Sequence, residues 1–182
     1  MTTKKLFYCR KTDHSKKDTY DFDCIYVKQR RISPFRLFAR GEKRGIKSAL
    51  VRLNFCFMTK GKAMLFPAYS QENELVHTSI VVPKCYKYSF CNKEDYVIGP
   101  CQTVPAHRGK GIYPCVIQYI TEVMGSENTV FYMVASHDNE KSIRGIQKAG
   151  LIECGTIRSV GPLKKYVRQG ESEDEDSRLE ML

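Results

Sequence analysis

Residues 108–113 combine residue types and a spacing that suit the binding of an anion. The segment contains the cations Arg108 and Lys110 and the glycines Gly109 and Gly111, and it separates a predicted strand from a predicted helix. The first N–H groups of a helix have no partner within it, and the helix dipole favours negative charge at that end. Because glycine lets the backbone approach a ligand closely, the segment predicts a site for a phosphate or pyrophosphate group.

Two common phosphate-binding motifs do not account for this glycine segment. A P-loop requires serine or threonine after its lysine, whereas Gly111 follows Lys110. A dinucleotide fingerprint requires glycine or alanine at the position of Pro114. The two glycines alone are also compatible with an ordinary turn between a strand and a helix, so the neighbouring segments must decide between the two interpretations.

Apolar residues on both sides of the glycine segment predict alternating strands and helices. Gly99 and Pro100 interrupt the strand before it and indicate a bulge or bend. Pro114 suits the first turn of the helix after it, and Gly125 suits the position beyond its end. The elements predicted for the C-terminal half are a strand at Tyr96–Val104, a helix at Cys115–Met124, a strand at Thr129–Ser136, a helix at Glu140–Ala149 and one or two strands within Leu151–Val167.

The N-terminal half contains further predicted strands and one predicted helix. Runs rich in β-branched and aromatic residues predict the strands, and apolar residues at helical spacing predict the helix. The strands are expected at Leu6–Arg10, Cys24–Gln29, Lys62–Tyr69 and Glu74–Val82, and the helix is expected at Ile46–Phe57.

Two segments resemble the signatures of the GNAT superfamily of N-acetyltransferases. Val104–Ile112 is similar to the acetyl-CoA loop, whose pattern is glutamine or arginine, two residues, glycine, one residue, and glycine or alanine. Arg108 and Gly111 match, and Tyr113 stands where the family usually has glycine or alanine. Asn139–Leu151 resembles the second signature, which begins with asparagine and ends with lysine, any residue, glycine and an apolar residue. Two signatures in the expected order and spacing are much stronger than either alone.

The resemblance, which is firm over Tyr96–Leu151, implies a mixed α/β fold of the α+β kind. The expected architecture is a central, mostly antiparallel, twisted sheet of about six to seven strands flanked by helices. Residues 1–167 are expected to form one GNAT-like acetyltransferase domain. Residues 168–182, with six acidic and two basic side chains, are expected to form a disordered acidic tail.

The resemblance also implies which residues hold acetyl-CoA as a cosubstrate. Backbone groups of the bulged strand would pair with the pantetheine arm, the glycine segment would hold the pyrophosphate, and the second signature would line the far side. The residues concerned are Cys101, Gln102 and Thr103 in the strand, Arg108, Gly109, Lys110, Gly111, Ile112 and Tyr113 in the glycine segment, and Asn139 and Ser142 in the second signature. The alternative to cofactor binding is a structural role for both residues of the second signature. Asn139 would then serve only as a helix cap, and Ser142 would be only a residue of the first helical turn.

The implied reaction is direct transfer of an acetyl group from a thioester to an amine, without a metal. The amine must be neutral to attack, since an ammonium group has no lone pair. An unpaired N–H at the bulge of the strand is expected to stabilise the oxyanion. The leaving thiolate, with a pKa of about 8.5, needs only modest help from an acid.

The sequence does not decide which residues act as the general acid and the general base of this reaction. Many relatives place a tyrosine acid in the second signature, at the position that Ile146 occupies here. The candidate catalytic residues are Tyr96 at the start of the bulged strand, His77 on the preceding strand with Glu74, and His137 just before the second signature. His77 is expected to act as a base through water, because the usual pKa of histidine lies near neutrality; a structural role is the alternative.

Composition and charge narrow the class of protein. The 182 residues carry a net charge of +10, which is concentrated in residues 1–167 and attracts an anionic partner, unless lysines merely solvate the surface. No segment approaches the about 18 apolar residues of a membrane span, and no signal peptide begins the chain, so a cytoplasmic protein without a membrane partner is expected. The eight cysteines form no C-x-x-C pair, which is typical of reduced thiols and not of a zinc site.

The expected function is acetyl-CoA-dependent N-acetylation of a primary amine on a small molecule. An amino sugar, free or linked to a nucleotide, is the first choice of acceptor. One alternative is acetylation of an aminoacyl-tRNA or another macromolecular amine, although nucleic acid is not the favoured partner. A degenerate module that holds CoA or a partner without catalysis is the other alternative. A homodimer is an option, because dimers are common among such relatives.

Overall fold

One sheet of nine strands organises the fold in the computed structural model, which describes residues 3–10, 25–161 and 165–169. The strands are β1 (Thr3–Arg10), β2 (Ile25–Val27), β3 (Arg30–Arg31), β4 (Met64–Ser70), β5 (Leu75–Pro83), β6 (Tyr96–Thr103), β7 (Val130–Ser136), β8 (Ile152–Val160) and β9 (Lys165–Arg168). The helices are α1 (Ile46–Met58), α2 (Ile112–Val123) and α3 (Glu140–Lys148), with short 3-10 helices at Tyr86–Tyr88 and Pro105–His107. The order across the sheet is β2-β4-β5-β6-β7-β1-β8-β9, and β3 also pairs with β4.

The expected mixed fold with a mostly antiparallel sheet is confirmed. Among the described strands, β6 and β7 form the single parallel pair, and every other pair of neighbours is antiparallel. The sheet has nine strands instead of six or seven. The short edge strands β2 and β9 correspond to the predicted strand at Cys24–Gln29 and to the end of the segment Leu151–Val167, whereas β3, with two residues, was not predicted. A strand of two residues carries too little pattern to be recognised in a sequence.

Most of the predicted elements are present with small shifts at their ends. The predicted helix from Ile46 is α1, and the helix predicted from Cys115 begins earlier, at Ile112, because the glycine segment leads directly into its first turn. The predicted strand at Cys24–Gln29 is reduced to β2, and Cys24 lies outside the described residues. The predicted tail lies almost entirely in residues 170–182, which are also outside them, so the boundary between domain and tail stays a prediction.

The helices cover the two faces of the sheet. Helices α2 and α3 pack on one face, where Phe7, Phe66 and Phe131 are fully buried beneath them. Helix α1 and the 3-10 helix at Tyr86–Tyr88 pack on the other face, against Leu65 and its neighbours. Both layers bury the apolar side of an element against the sheet, which is the main source of stability in such a fold.

Strands β6 and β7 separate soon after they meet. They pair only at Tyr96–Phe131 and Val97–Tyr132, after which β6 follows β5 and β7 follows β1. The register between β5 and β6 shifts just beyond this point, where Gly99 and Pro100 interrupt β6 as predicted. Proline has no N–H to donate, so it weakens regular pairing there. The result is a V-shaped opening in the middle of the sheet.

Asp95 stabilises the narrow end of this opening. Its carboxylate is 2% exposed and accepts the N–H of Val130 at 3.1 Å and the N–H of Asn92 at 2.8 Å. One side chain thus joins the residue before β6 to the first residue of β7. Two charge-assisted hydrogen bonds to backbone N–H groups hold the starts of these strands together.

None of the helices in the described ranges has the length and apolar character of a membrane span. The cysteines of these ranges are free thiols, as predicted. Most of them are buried, whereas Cys101 is half-buried and Cys154 is exposed. Buried thiols of this kind behave as small apolar side chains in a core.

Candidate functional site

A cavity of about 760 Å³ fills the V-shaped opening between β6 and β7. Its walls are the second half of β6, the glycine segment, the first turn of α2, the middle of β7 and one face of α3. We call it the β6–β7 cavity. It combines a backbone edge, a helix N-terminus and several cations in one concave site, as binding sites for elongated anionic ligands do.

The glycine segment presents backbone N–H groups at the wide end of the cavity. Gly109 and Gly111 have φ angles of 79° and 76°, in the left-handed region that favours glycine, and Gly111 caps α2 without a side-chain hydrogen bond. Within the described part of the chain, no acceptor takes the N–H of any residue from Gly109 to Tyr113. Cys115 is the first residue of this turn to donate, at 3.2 Å to the Gly111 carbonyl.

Cations from two elements surround these N–H groups. Arg108 lies beside them, and its Nε donates to the Thr103 carbonyl at 3.2 Å, which ties the glycine segment to the end of β6. Lys141, Arg144 and Lys148 line the opposite wall from α3. These three α3 residues were missed in the sequence analysis, although their spacing of three and four residues places them on one helix face. Arg144 is paired with Glu140 on the same helix at 2.8 Å, so Lys141 and Lys148 are the α3 cations of this wall that have no ion pair among the described residues.

The structure brings nearly all of the predicted cofactor-binding residues to this cavity. Those that line it are Cys101, Gln102, Thr103, Arg108, Gly109, Gly111, Ile112, Tyr113, Asn139 and Ser142. Lys110 is exposed and lies outside the lining. Asn139 also caps α3, since its Oδ1 accepts the N–H of Ser142 at 3.2 Å. Asn139 therefore both lines the cavity and caps the helix. Their roles toward a ligand stay predictions.

Tyr113 and Gly145 pack together as a matched pair. A Cβ atom on Gly145 would overlap the Tyr113 ring, so α3 accepts this ring only because it has glycine there. The ring also lies beside His77, with 5.9 Å between the ring centroids, and its hydroxyl is 3.4 Å from the Ser142 Oγ. The bulky residue in the acetyl-CoA loop is thus accommodated by the small one in the second signature.

A chain of polar side chains lies in the wall of the cavity beneath Tyr113. His77 Nδ1 is 2.7 Å from the Thr103 Oγ1, His77 Nε2 is 2.7 Å from the Ser79 Oγ, and Ser79 donates to the Cys101 Sγ at 3.1 Å. With the Ser79 proton directed at sulfur, Nε2–H of His77 donates to Ser79, and Nδ1 accepts the Thr103 proton. With the Cys101 thiol as the donor to Ser79, every direction in the chain is reversed. In both arrangements neutral His77 is hydrogen-bonded at its two ring nitrogens.

Burial sets the ionisation of this chain. It lowers the pKa of His77 to about 3 and raises that of the Cys101 thiol to about 12, the latter partly offset by the hydrogen bond from Ser79. His77 is 0% exposed. The near-neutral pKa assumed for His77 is therefore wrong, because an imidazole with no access to water resists protonation. The geometry favours the structural alternative for His77, which orients Thr103 and Ser79.

The other two catalytic candidates lie away from the cavity lining. Tyr96 is at the paired end of β6, where its ring stacks on Phe131 with 5.9 Å between centroids, and it lines a different cavity. His137 is exposed just after β7 and is outside the lining. Ile146, at the usual position of the tyrosine acid, is fully buried. The phenol of Tyr113 lines the cavity, whereas the sequence assigned Tyr113 to cofactor binding and not to the candidate acids.

Comparison with known proteins identifies the architecture. At the level of sequence, no family model and no curated protein matches the chain. Solved structures do match: a GNAT-family acetyltransferase from Colwellia psychrerythraea has a TM-score of 0.53 at 15% identity over 85% of this chain and 55% of its own. A tandem GNAT protein from the clavulanic acid biosynthesis pathway has a TM-score of 0.52 at 14% identity, over 84% and 50%. The chain has the GNAT fold.

A third structure supports the same conclusion. A GCN5-related N-acetyltransferase from Sphaerobacter thermophilus has a TM-score of 0.52 at 13% identity, over 86% of this chain and 50% of its own. The present chain thus spans about half the length of these proteins. The resemblance predicted from the two signatures is confirmed at the level of the GNAT fold. At such low identity the likeness extends to the fold alone.

The contact between Tyr113 and Gly145 predicts a strong coupling between the two residues. Gly145→Ala should lower the free energy of unfolding by about 1–3 kcal/mol, because the new Cβ forces the ring out of its place. In a Tyr113→Ala background the same change should be neutral or stabilising, since alanine is a better helix former than glycine by about 1 kcal/mol. Urea unfolding of the four variants measures both effects. Equal effects in the two backgrounds would show that the contact is not important.

The low pKa of His77 predicts an acid-sensitive fold. The unfolded chain binds a proton at His77 near pH 6.5, whereas the folded chain does so only near pH 3. The unfolded state therefore holds more protons in this window, and stability falls as the pH drops, by about 1.4 kcal/mol per unit for one proton. His77→Gln should remove this part of the slope, as measured by urea unfolding from pH 6.5 to 4. His137→Gln is the matched control, and an unchanged slope in His77→Gln would refute the assignment.

Proposed function

We propose that this chain binds acetyl-CoA in the β6–β7 cavity and transfers the acetyl group to a primary amine. The observation that carries the proposal is the row of unpaired N–H groups from Gly109 to Tyr113 at the mouth of a cleft between two diverging strands. The GNAT fold supports it, because the cleft and the two signatures occur together. The activity, the acceptor and the partners of the chain are all part of this proposal.

The described residues fit the parts of acetyl-CoA. The pyrophosphate would accept the N–H groups of the glycine segment, with Arg108, Lys141 and Lys148 nearby to balance its charge. The pantetheine arm carries amide groups, and the edge of β6 beyond Val97 has no β7 partner. Backbone groups on this edge other than the Thr103 carbonyl, which accepts from Arg108, would pair with these amides. The cations and N–H groups of one cavity of about 760 Å³ thus match the phosphates, and its strand edge matches the amides of the pantetheine arm.

The side chains of the cavity are suited to direct transfer. Bound acetyl-CoA supplies a thioester as the acyl donor. The amine nitrogen forms the new C–N bond, the C–S bond breaks, and the amine loses a proton while the thiolate gains one. The Cys101 thiol, with its pKa raised to about 12, stays protonated and is a poor nucleophile, which argues against a covalent intermediate.

Tyr113 takes the place of the missing acid in this proposal. Burial raises the pKa of its hydroxyl well above the usual value, so that it stays protonated at physiological pH. It lines the cavity, and Ser142 holds the hydroxyl in position. A phenol of this kind can donate a hydrogen bond to the leaving sulfur, which needs only modest assistance.

A small amine, such as an amino sugar or its nucleotide-linked form, is the proposed acceptor. The cations of the cavity are compatible with a phosphorylated acceptor as well as with the phosphates of CoA. A CoA-binding module without catalysis is the second candidate, and two observations favour it: Ile146 is buried at the usual acid position, and His77, Tyr96 and His137 all lie outside the lining. A cytoplasmic location and a homodimer stay predictions.

Substitution of Gly111 tests the cofactor site. Gly111→Asp places a negative charge at the mouth of the cavity and should weaken binding of acetyl-CoA at least about tenfold, through repulsion of the phosphates. Gly161→Asp is the matched control, because Gly161 also has a left-handed φ of 67°, is exposed and lies in the turn between β8 and β9. Calorimetric titration of both variants measures the effect. Equal affinity in the two variants, or no binding by the unaltered chain, would contradict the proposal.

Removal of the Tyr113 hydroxyl tests the proposed acid and separates the two candidate functions. Tyr113→Phe keeps the ring against Gly145, so acetyl-CoA should bind normally while kcat with the best acceptor amine falls about tenfold to a hundredfold. Release of CoA across a panel of amines measures turnover. An unchanged kcat would exclude the hydroxyl from the reaction, and binding without turnover in the unaltered chain would favour the non-catalytic module.

A further inference from the structure

A second cavity, of about 670 Å³, lies at the opposite end of β6. It is formed where α1 ends, β4 begins, β5 ends and β6 begins, and it shares no lining residue with the β6–β7 cavity. We call it the basal cavity. Neither the GNAT signatures nor the proposed acetyl transfer uses it, so its chemistry must be argued from its own residues.

Five cations from four separate segments form the rim of the basal cavity. They are Arg31 of β3, Lys60 and Lys62 after α1, Lys84 after β5, and Lys93 before β6. All five are exposed, and no carboxylate is among the lining residues. Within the described ranges, none of the five takes part in an ion pair. Uncompensated cations around a concave surface concentrate positive potential and attract an anion.

The floor of the basal cavity is apolar and contains an aromatic ring. Met64 and Tyr96 are half-buried there, and Met124 is 8% exposed. In the described part of the chain no side chain or backbone group bonds the Tyr96 hydroxyl. The floor thus offers apolar and aromatic contacts together with one free hydroxyl. A ligand that carries phosphate alone would leave this floor unused.

We infer that the basal cavity binds a nucleotide unit, with phosphates on the cationic rim and the base over the Tyr96 and methionine floor. Phosphate groups match the rim, and planar bases are the groups that stack on aromatic side chains and contact apolar surfaces in proteins. A free nucleotide and a single-stranded nucleic acid share this chemistry. The inference does not depend on acetyl transfer, because the two cavities have separate linings.

The rim is tested with two double variants of equal charge. Lys60→Gln/Lys62→Gln removes two rim cations, and Lys43→Gln/Lys47→Gln removes two exposed lysines that line neither cavity. ADP, inorganic pyrophosphate and oligo-dT are titrated calorimetrically against the full chain and both variants. Each titration is repeated in a Gly111→Asp background, in which binding in the β6–β7 cavity is weakened, so that the contribution of the basal cavity is compared in both backgrounds. The test is therefore valid whether or not the proposed function holds.

The rim variant should raise the Kd of ADP about tenfold, and the control should leave it nearly unchanged. ADP should also bind more tightly than pyrophosphate, because only ADP reaches the floor. If oligo-dT binds more tightly than ADP, the natural ligand is a strand, and its log-log salt slope should fall by about 1.4 in the rim variant. If only ADP binds, the ligand is a free nucleotide. Absence of binding, equal weakening by both double variants, or equal affinity for ADP and pyrophosphate would overturn the inference.

Discussion

The short pairing between β6 and β7 is the constraint on which the rest of the molecule depends. These central strands share only two residue pairs, and Asp95 adds a buried hydrogen bond to the start of β7. Beyond this point each strand is held by its outer neighbour, so the sheet opens without losing its continuity. An unpaired strand edge inside a protein needs a polar partner. The open edge of β6 therefore leaves backbone groups without a β7 partner, and these groups line the β6–β7 cavity.

The elements around this opening are adapted to one another. Tyr113 stands where the family usually has a small residue, and Gly145 on the facing helix provides the space for its ring. A charged His77 would be costly to bury. The ring is neutral, and each of its two nitrogens forms a hydrogen bond, one with Thr103 and the other with Ser79. The wall of the β6–β7 cavity thus contains a buried polar network around His77. Tyr113 is consequently the phenol that lines this cavity, whereas Ile146 is buried at the usual position of the tyrosine.

Positive charge is distributed to two separate ends of β6. At one end it accompanies unpaired N–H groups, which suit an extended anion lying along a strand edge. At the other end it surrounds an apolar floor, which suits a ligand with both a charged and a planar part. The net charge of the chain does not distinguish these two arrangements, because it does not say where in the structure the charged residues lie. The same residue types therefore have different surroundings in the two cavities.

The order and type of the long elements, and the approximate place of the cavity beside the glycine segment, were determined by the sequence itself. Periodicity, glycines and the two signatures depend on residues that are close in the chain, and such local patterns are sufficient for α1, β5 and the segment from Gly109 to Gly111. Other features join residues that are distant in sequence: the two-residue strand β3, the contact between Tyr113 and Gly145, the α3 cations facing the glycine segment, and the basal cavity. The burial that lowers the pKa of His77 to about 3 is likewise a property of the packed core. Only the tertiary structure decided these features, because each depends on which surfaces meet after the chain has folded.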